Sequence, residues 1–201
     1  NIQRLGLWLR YNLKSAISRA EWDELKTDVL PKLTGKLYAG IKFSTDGTSC
    51  ALAVACRTKD NTIFVEAIDC RPTRAGSGWL LDFLSKADLA AVTVDGASGQ
   101  QLLADALKAA HLKAPILPTV KQVITANAAF EQALFAKTLC HAGQPGLAQA
   151  ASNCEKRAIG SNGGFYRSLT EGGHIELLDS VILAHWQCAE GKAKRRQRTS
   201  Y

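Results

Sequence analysis

Leu37-Tyr38-Ala39-Gly40-Ile41-Lys42-Phe43, Cys50-Ala51-Leu52-Ala53-Val54-Ala55-Cys56 and Thr62-Ile63-Phe64-Val65-Glu66-Ala67-Ile68 are three short runs of small, branched and aromatic residues. Between them stand Thr45-Asp46-Gly47-Thr48 and Lys59-Asp60-Asn61, both rich in turn formers. The spacing predicts an antiparallel three-strand meander. Downstream the period changes. Gly76 to Lys86 reads as a helix with Trp79, Leu80 and Phe83 on one face, and Leu89 to Val94 as a strand covered on both faces. A helix over Gly99 to His111, a short fifth strand at Ile116-Leu117 and a long Ala-rich helix over Lys121 to Thr138 follow. A Gly-rich region then holds a short helix near Leu147 to Asn153 and a hairpin ending at Tyr166-Arg167-Ser168-Leu169, before an amphipathic helix over Ile175 to Ala189. Three antiparallel strands followed by α/β units predict an α/β fold, a mixed β-sheet with helices on both faces.

At 201 residues, 46% hydrophobic and 21% charged, the chain can bury the core of one domain, which excludes global disorder. No run reaches the roughly 18 apolar residues of a membrane-spanning helix, so a soluble protein with no membrane partner is expected. The formal charge of +7 is uneven. Four cations precede Glu21 and five follow Glu190, which leaves 16 positive against 18 negative residues from Glu21 through Glu190. The basicity therefore sits at the ends, where it serves as well for solubility as for an anionic partner. Six cysteines without a CxxC pair read as reduced, mostly buried thiols. Ile2, Leu5, Leu9, Leu13 and Ile17 recur at helical spacing, and a polar connector follows. The start at Asn1 and the lack of Met suggest a piece of a longer protein. The expected organisation is a linker helix and connector over 1–35, a folded domain over 36–190 and a basic tail over 191–201.

Three aspartates could carry chemistry. Asp46 follows the first strand at a Thr-Asp-Gly corner, Asp95 ends the fourth strand in Val92-Thr93-Val94-Asp95-Gly96, and Asp179 lies in the first turns of the last helix. In a βββαβαβ order the first and fourth strands are neighbours, so carboxylates at their ends and on a crossing helix would meet. Carboxylates that close repel unless a cation lies between them. Hard oxygen donors of this kind suit Mg²⁺ or Mn²⁺, and two ions roughly 3.5–4 Å apart suit phosphodiester hydrolysis. Spacing alone leaves a plainer reading open, in which Asp-Gly is a turn and an early helical Asp favours the macrodipole.

The ordered set Tyr38-Ala39-Gly40-Ile41-Lys42-Phe43-Ser44-Thr45-Asp46-Gly47, Ala91-Val92-Thr93-Val94-Asp95-Gly96, Lys156-Arg157-Ala158-Ile159-Gly160 with Gly163-Gly164-Phe165-Tyr166, and Gly173-His174-Ile175-Glu176-Leu177-Leu178-Asp179 resembles one family. It is that of the C-terminal nuclease domains of tailed-bacteriophage large terminase subunits, within the ribonuclease H-like superfamily. The resemblance spans roughly Leu37 to Ala189. It implies a metal-dependent endonuclease that cuts concatemeric viral double-stranded DNA during packaging, with Asp46, Asp95 and Asp179 holding two Mg²⁺ or Mn²⁺ ions. Many relatives place an acidic residue inside the first strand, where this chain has Lys42, and the role therefore passes to Asp46.

Lys42, Lys156, Arg157 and Arg167 would lie near the DNA phosphates. His174 and Glu176 are possible accessory groups, with Glu66 and Asp69 as further acidic candidates. The partners implied are double-stranded DNA, an N-terminal ATPase domain, the portal protein and the small terminase subunit, in the host cell cytoplasm. No GxxxxGK[ST] loop is present, so any motor lies outside this sequence. Other readings are a junction resolvase or transposase-type nuclease of the same fold, and a non-catalytic DNA- or portal-binding domain.

Overall fold

The computed structural model describes residues 15–158, 164–169 and 174–197. Nearly all of the leading helix expected from Ile2 to Ile17, the tip of the Gly-rich hairpin and the last residues of the tail lie outside them. Helix α1 (Arg19–Asp23) comes first, capped by Ser18 in a capping box with Glu21. Strands β1 (Leu33–Phe43), β2 (Ser49–Thr58) and β3 (Ile63–Pro72) form the expected antiparallel meander. Helix α2 (Gly78–Lys86), strand β4 (Leu89–Asp95), helix α3 (Gln100–Ala109) and helix α4 (Val120–Phe135) follow. Strand β5 (Leu139–His141), helix α5 (Pro145–Ala151), the hairpin β6 (Cys154–Ala158) and β7 (Gly164–Ser168), and helix α6 (Glu176–Gln197) complete the order.

The main sheet runs β4-β1-β2-β3-β5, with β4 parallel to β1 and β5 parallel to β3. One expectation changes here. The fifth strand is Leu139–His141, on the far side of β3. Ile116 makes only an isolated parallel bridge to Thr93, beyond β4. The polar stretch expected as a connector sends Trp22 and Leu25 into the core. Trp22 is fully buried, stacks on His141 at 4.3 Å and lies 6.5 Å from Phe130. Trp22, together with buried Ile17 and Leu25, anchors a segment that composition marks as a loop.

Strand parity assigns the two faces. Ala39, Ile41, Phe43, Cys50, Leu52, Val92 and Val94 pack with Leu80 and Leu84 of α2 and Leu103 and Leu107 of α3. The alternate residues Ala53, Ala55 and Val65 pack with Phe130 of α4, Leu147 of α5, and Leu178 and Ile182 of α6. Covering both faces explains why β2 shows no polar alternation. The small residues on the α6 side also set a distance. A Cβ on Gly40 would lie 2.1 Å from the Ser180 carbonyl oxygen and 2.7 Å from the Ala184 nitrogen, so β1 and α6 touch backbone to backbone.

Two histidines are sealed in this core. The Nε2–H of His141 donates to the Trp22 carbonyl at 2.8 Å while its Nδ1 accepts from the Gly143 amide at 3.0 Å, and burial lowers its pKa. His185 lies edge-on to Phe130 at 5.6 Å, and burial, helped by Arg57, pushes its pKa down to about 4. Both are neutral in the fold, whereas the unfolded chain takes up protons below about pH 6.5. The stability His185 contributes is complete above that pH and is lost as pH falls toward about 4, and the contribution of His141 is lost in the same direction. For His185 the loss reaches about 3 kcal/mol. Urea unfolding of wild type and His185→Leu between about pH 7.5 and 5 should show wild type losing stability relative to the variant. Parallel pH profiles would refute the assignment.

Candidate functional site

Lys42 and Asp95 are paired in register across the parallel β1–β4 ladder, near the carboxyl ends of both strands. Since Ile41, Phe43, Val92 and Val94 belong to the α2–α3 face, Lys42 and Asp95 face α6. There the first turn of α6 presents Glu176 and Asp179 three residues apart, on one side of the helix. A pocket of about 230 Å³ is the result. Its acidic residues are Asp95, Glu176 and Asp179, its cations Lys42, Arg157 and Arg167, and Ser44, Thr45 and Asn127 also reach it.

Charges in this pocket are tightly linked. Nζ of Lys42 donates to Asp95 Oδ2 at 2.5 Å, and both side chains are about one-fifth exposed. Burial disfavours the ammonium, but Asp179, Asp95 and Glu176 outweigh it, so the pKa of Lys42 is raised. The pKa of Asp179 is pushed up to about 7, chiefly by burial and further by Glu176 and Asp95, with Lys42 opposing. Glu176 accepts from His174 Nδ1 through Oε1 at 3.2 Å, while its buried Oε2 has no partner among the described residues. Asn127 donates to the Val123 carbonyl at 2.8 Å, and its buried Oδ1 is likewise unpartnered among the described residues. Buried oxygens without donors are costly unless something else approaches them.

The expected trio is therefore only partly assembled. Asp95 and Asp179 share the pocket, whereas Asp46 is exposed and does not line it. Its Oδ1 accepts from Ser44 Oγ at 2.7 Å, Thr48 Oγ1 at 2.7 Å and the Thr48 amide at 3.0 Å. These hydrogen bonds, Ser44 first, pull its pKa down to about 2. Its carboxylate closes the β1–β2 turn, and the residue that stands beside Asp95 is Lys42. Glu176, expected only as an accessory, lies inside the pocket. His174 lies outside it, within electrostatic reach of Asp46.

Of the cations expected on DNA, Arg157 and Arg167 border the pocket, with Arg167 donating to Glu155 at 2.6 Å across the hairpin. Lys156 points elsewhere and pairs with Glu131 of α4. Asn127 escaped the sequence reading. Its one visible signal is an amide on the buried face of an otherwise Ala-rich helix.

The donors suit a hard divalent cation, with three carboxylates and a buried, unpartnered oxygen on Glu176. Among the described residues no three acidic, histidine or cysteine side chains converge into a ready-made cage. Lys42 holds the centre of the group.

No protein-family model and no curated protein matches the chain. Solved structures do share its fold. The HK97 bacteriophage large terminase superposes with a TM-score of 0.68 at 15% identity, over 86% of this chain and 43% of that one. The large terminase nuclease of thermophilic phage G20c gives 0.60 at 16%, over 85% of this chain and 98% of that chain. The nuclease domain of the large terminase subunit gp2 of bacterial virus Sf6 gives 0.61 at 13%, over 85% and 98%. The G20c nuclease was also solved with bound magnesium and with bound cobalt, and a variant Sf6 domain with manganese. The chain thus has the mixed-sheet fold of terminase nuclease domains, and spans less than half the length of the HK97 protein.

Proposed function

We propose that this domain is a metal-dependent DNA endonuclease that cuts viral double-stranded DNA during genome packaging. The observation that carries the reading is the pocket where β4 and the first turn of α6 bring Asp95, Glu176 and Asp179 together, in a fold shared with terminase nuclease domains. Those three carboxylates would hold the divalent metal. When bound, Mg²⁺ or Mn²⁺ supplies an acidified water and charge compensation at the leaving oxygen.

The chain's own residues do the rest. Arg157 and Arg167, on the hairpin beside the pocket, would bind phosphates flanking the scissile one and give a salt-sensitive, sequence-independent affinity. Asp179, whose pKa burial raises to about 7 in the metal-free pocket, would give up its proton as the metal binds. Lys42 would fix Asp95 in place through its hydrogen bond to Oδ2. Asp46 would act through the turn that positions Ser44 and Thr45 at the rim. The implied partners are double-stranded DNA, an ATPase motor in the same parent chain, the portal and the small terminase subunit, all in the host cytoplasm.

The test is conversion of supercoiled plasmid to nicked and linear forms with Mg²⁺, Mn²⁺ or EDTA. Cleavage that needs the metal and stops with EDTA is expected. A second reading, a non-catalytic DNA- or portal-binding domain, draws on the Lys42–Asp95 pair, which already neutralises one carboxylate. Absence of cleavage by folded protein with either ion would favour it.

A further inference from the structure

We infer that Lys42 is the resident cation of the carboxylate pocket, and that it limits the site to one divalent ion. The inference rests on the nuclease reading above and specifies its metal content. Three observations support it. Parity and register direct Lys42 toward α6 and onto Asp95, so its ammonium lies among the acids rather than on an outer surface where DNA phosphates would meet it. The 2.5 Å contact takes up Oδ2 of Asp95, leaving that residue one oxygen for a metal. In the same pocket, Asp179 and the Oε2 of Glu176, unpartnered among the described residues, remain available.

Charge balance gives the count. The three carboxylates carry three negative charges when ionised, and Lys42 returns one. A single divalent ion closes the balance at zero. A second would leave two uncompensated positive charges in a pocket that Arg157 and Arg167 already border. An ammonium cannot ligate a metal, and at this range it repels one. Lys42 thus takes the place of a second ion electrostatically, while offering hydrogen-bond donors instead of coordination sites.

The experiment is Mn²⁺ binding to the 201-residue chain, by titration calorimetry and electron paramagnetic resonance, with and without a short DNA duplex. Wild type should bind one Mn²⁺ per chain under both conditions and show no spin-coupled pair. Lys42→Gln, nearly isosteric and uncharged, should bind the first ion at least about tenfold more tightly. Lys42→Asp, which adds a ligand, should bind two ions with a coupled-pair signal. Circular dichroism confirms that each variant is folded, and the glutamine variant keeps the test open if the aspartate variant is not. Two ions in wild type would overturn the inference and leave the nuclease reading standing. No ion in any of the three proteins would overturn the metal reading and this inference with it. Unchanged affinity in Lys42→Gln would overturn the role of the lysine alone.

Discussion

Gly40→Val should leave no stably folded protein, and Gly40→Ala should lose more than about 4 kcal/mol in urea unfolding, a cost reserved for exceptional core defects. The reason is the close approach of β1 to α6. The added Cβ would meet the Ser180 carbonyl oxygen at 2.1 Å and the Ala184 nitrogen at 2.7 Å. Both are backbone atoms inside a helix, so neither can rotate away as a side-chain end would. Relief requires α6 to move off the sheet, which would open the packing of Leu178, Val181 and Ile182, all at most 1% exposed. Domains of this size are stable by only about 5–15 kcal/mol, so the change removes a large share of the total. It would also draw Glu176 and Asp179 away from Lys42 and Asp95, since they ride on the same helix. Gly78→Ala is the control. A Cβ there meets nothing within 4 Å, at the first residue of α2, and the change should be neutral or stabilise by about 0.5–1 kcal/mol. Gly40→Ala within about 1 kcal/mol of wild type would mean that the sheet and helix do not meet as described.

Much of this architecture could be read from residue order because local signals agreed with the fold. Asp46-Gly47 and Asp60-Asn61 do mark turns between antiparallel strands, and the periods of α2, α3 and α4 fall within a few residues of their observed bounds. The misses have physical causes. Strand β5 is three residues long and exists through its pairing with Ile63, Phe64 and Val65, a tertiary effect that no short-range propensity reveals. Trp22 was hidden in a polar stretch because one buried aromatic leaves no periodic trace.

The site is more instructive. An Asp-Gly corner leaves room for an approaching group and also closes a turn, and at Asp46 three hydrogen bonds to Oδ1 serve the turn while the side chain stands outside the pocket. The pocket follows from strand parity instead. Tyr38, Gly40 and Lys42 share the α6 side of β1, and Ala91, Thr93 and Asp95 share that side of β4. With helices on both faces, the hydrophobic pattern of β1 does not say which parity meets the last helix. That assignment needed the sheet order and the contact at Gly40.

Asp95→Asn and Asp179→Asn should each lower plasmid cleavage by about 10³-fold or more, the scale expected when a ligand worth several kcal/mol of transition-state charge stabilisation is lost. Their effects on stability should diverge, and this separates a designed pocket from two incidental acids. Asp95 is the hydrogen-bonded partner of a half-buried ammonium. Its neutral analogue leaves Lys42 with only Asp179 and Glu176 for compensation, so the melting temperature of Asp95→Asn should fall by several degrees.

Asp179 is the reverse case, since burial and two neighbouring carboxylates raise its pKa to about 7. Its folded value lies above the ordinary aspartate value of about 3.9. The carboxyl therefore favours folding at low pH, and that contribution is lost as pH rises through about 7. Asp179→Asn should be more stable than wild type at about pH 8 without metal, and the gap should close toward about pH 5. Added Mn²⁺ should raise the wild-type melting temperature and leave both variants nearly unmoved, because ligand binding stabilises only the state that can bind. Equal destabilisation of both variants at every pH, or a Mn²⁺ response that survives in both, would mean that Asp95 and Asp179 do not share one electrostatic site.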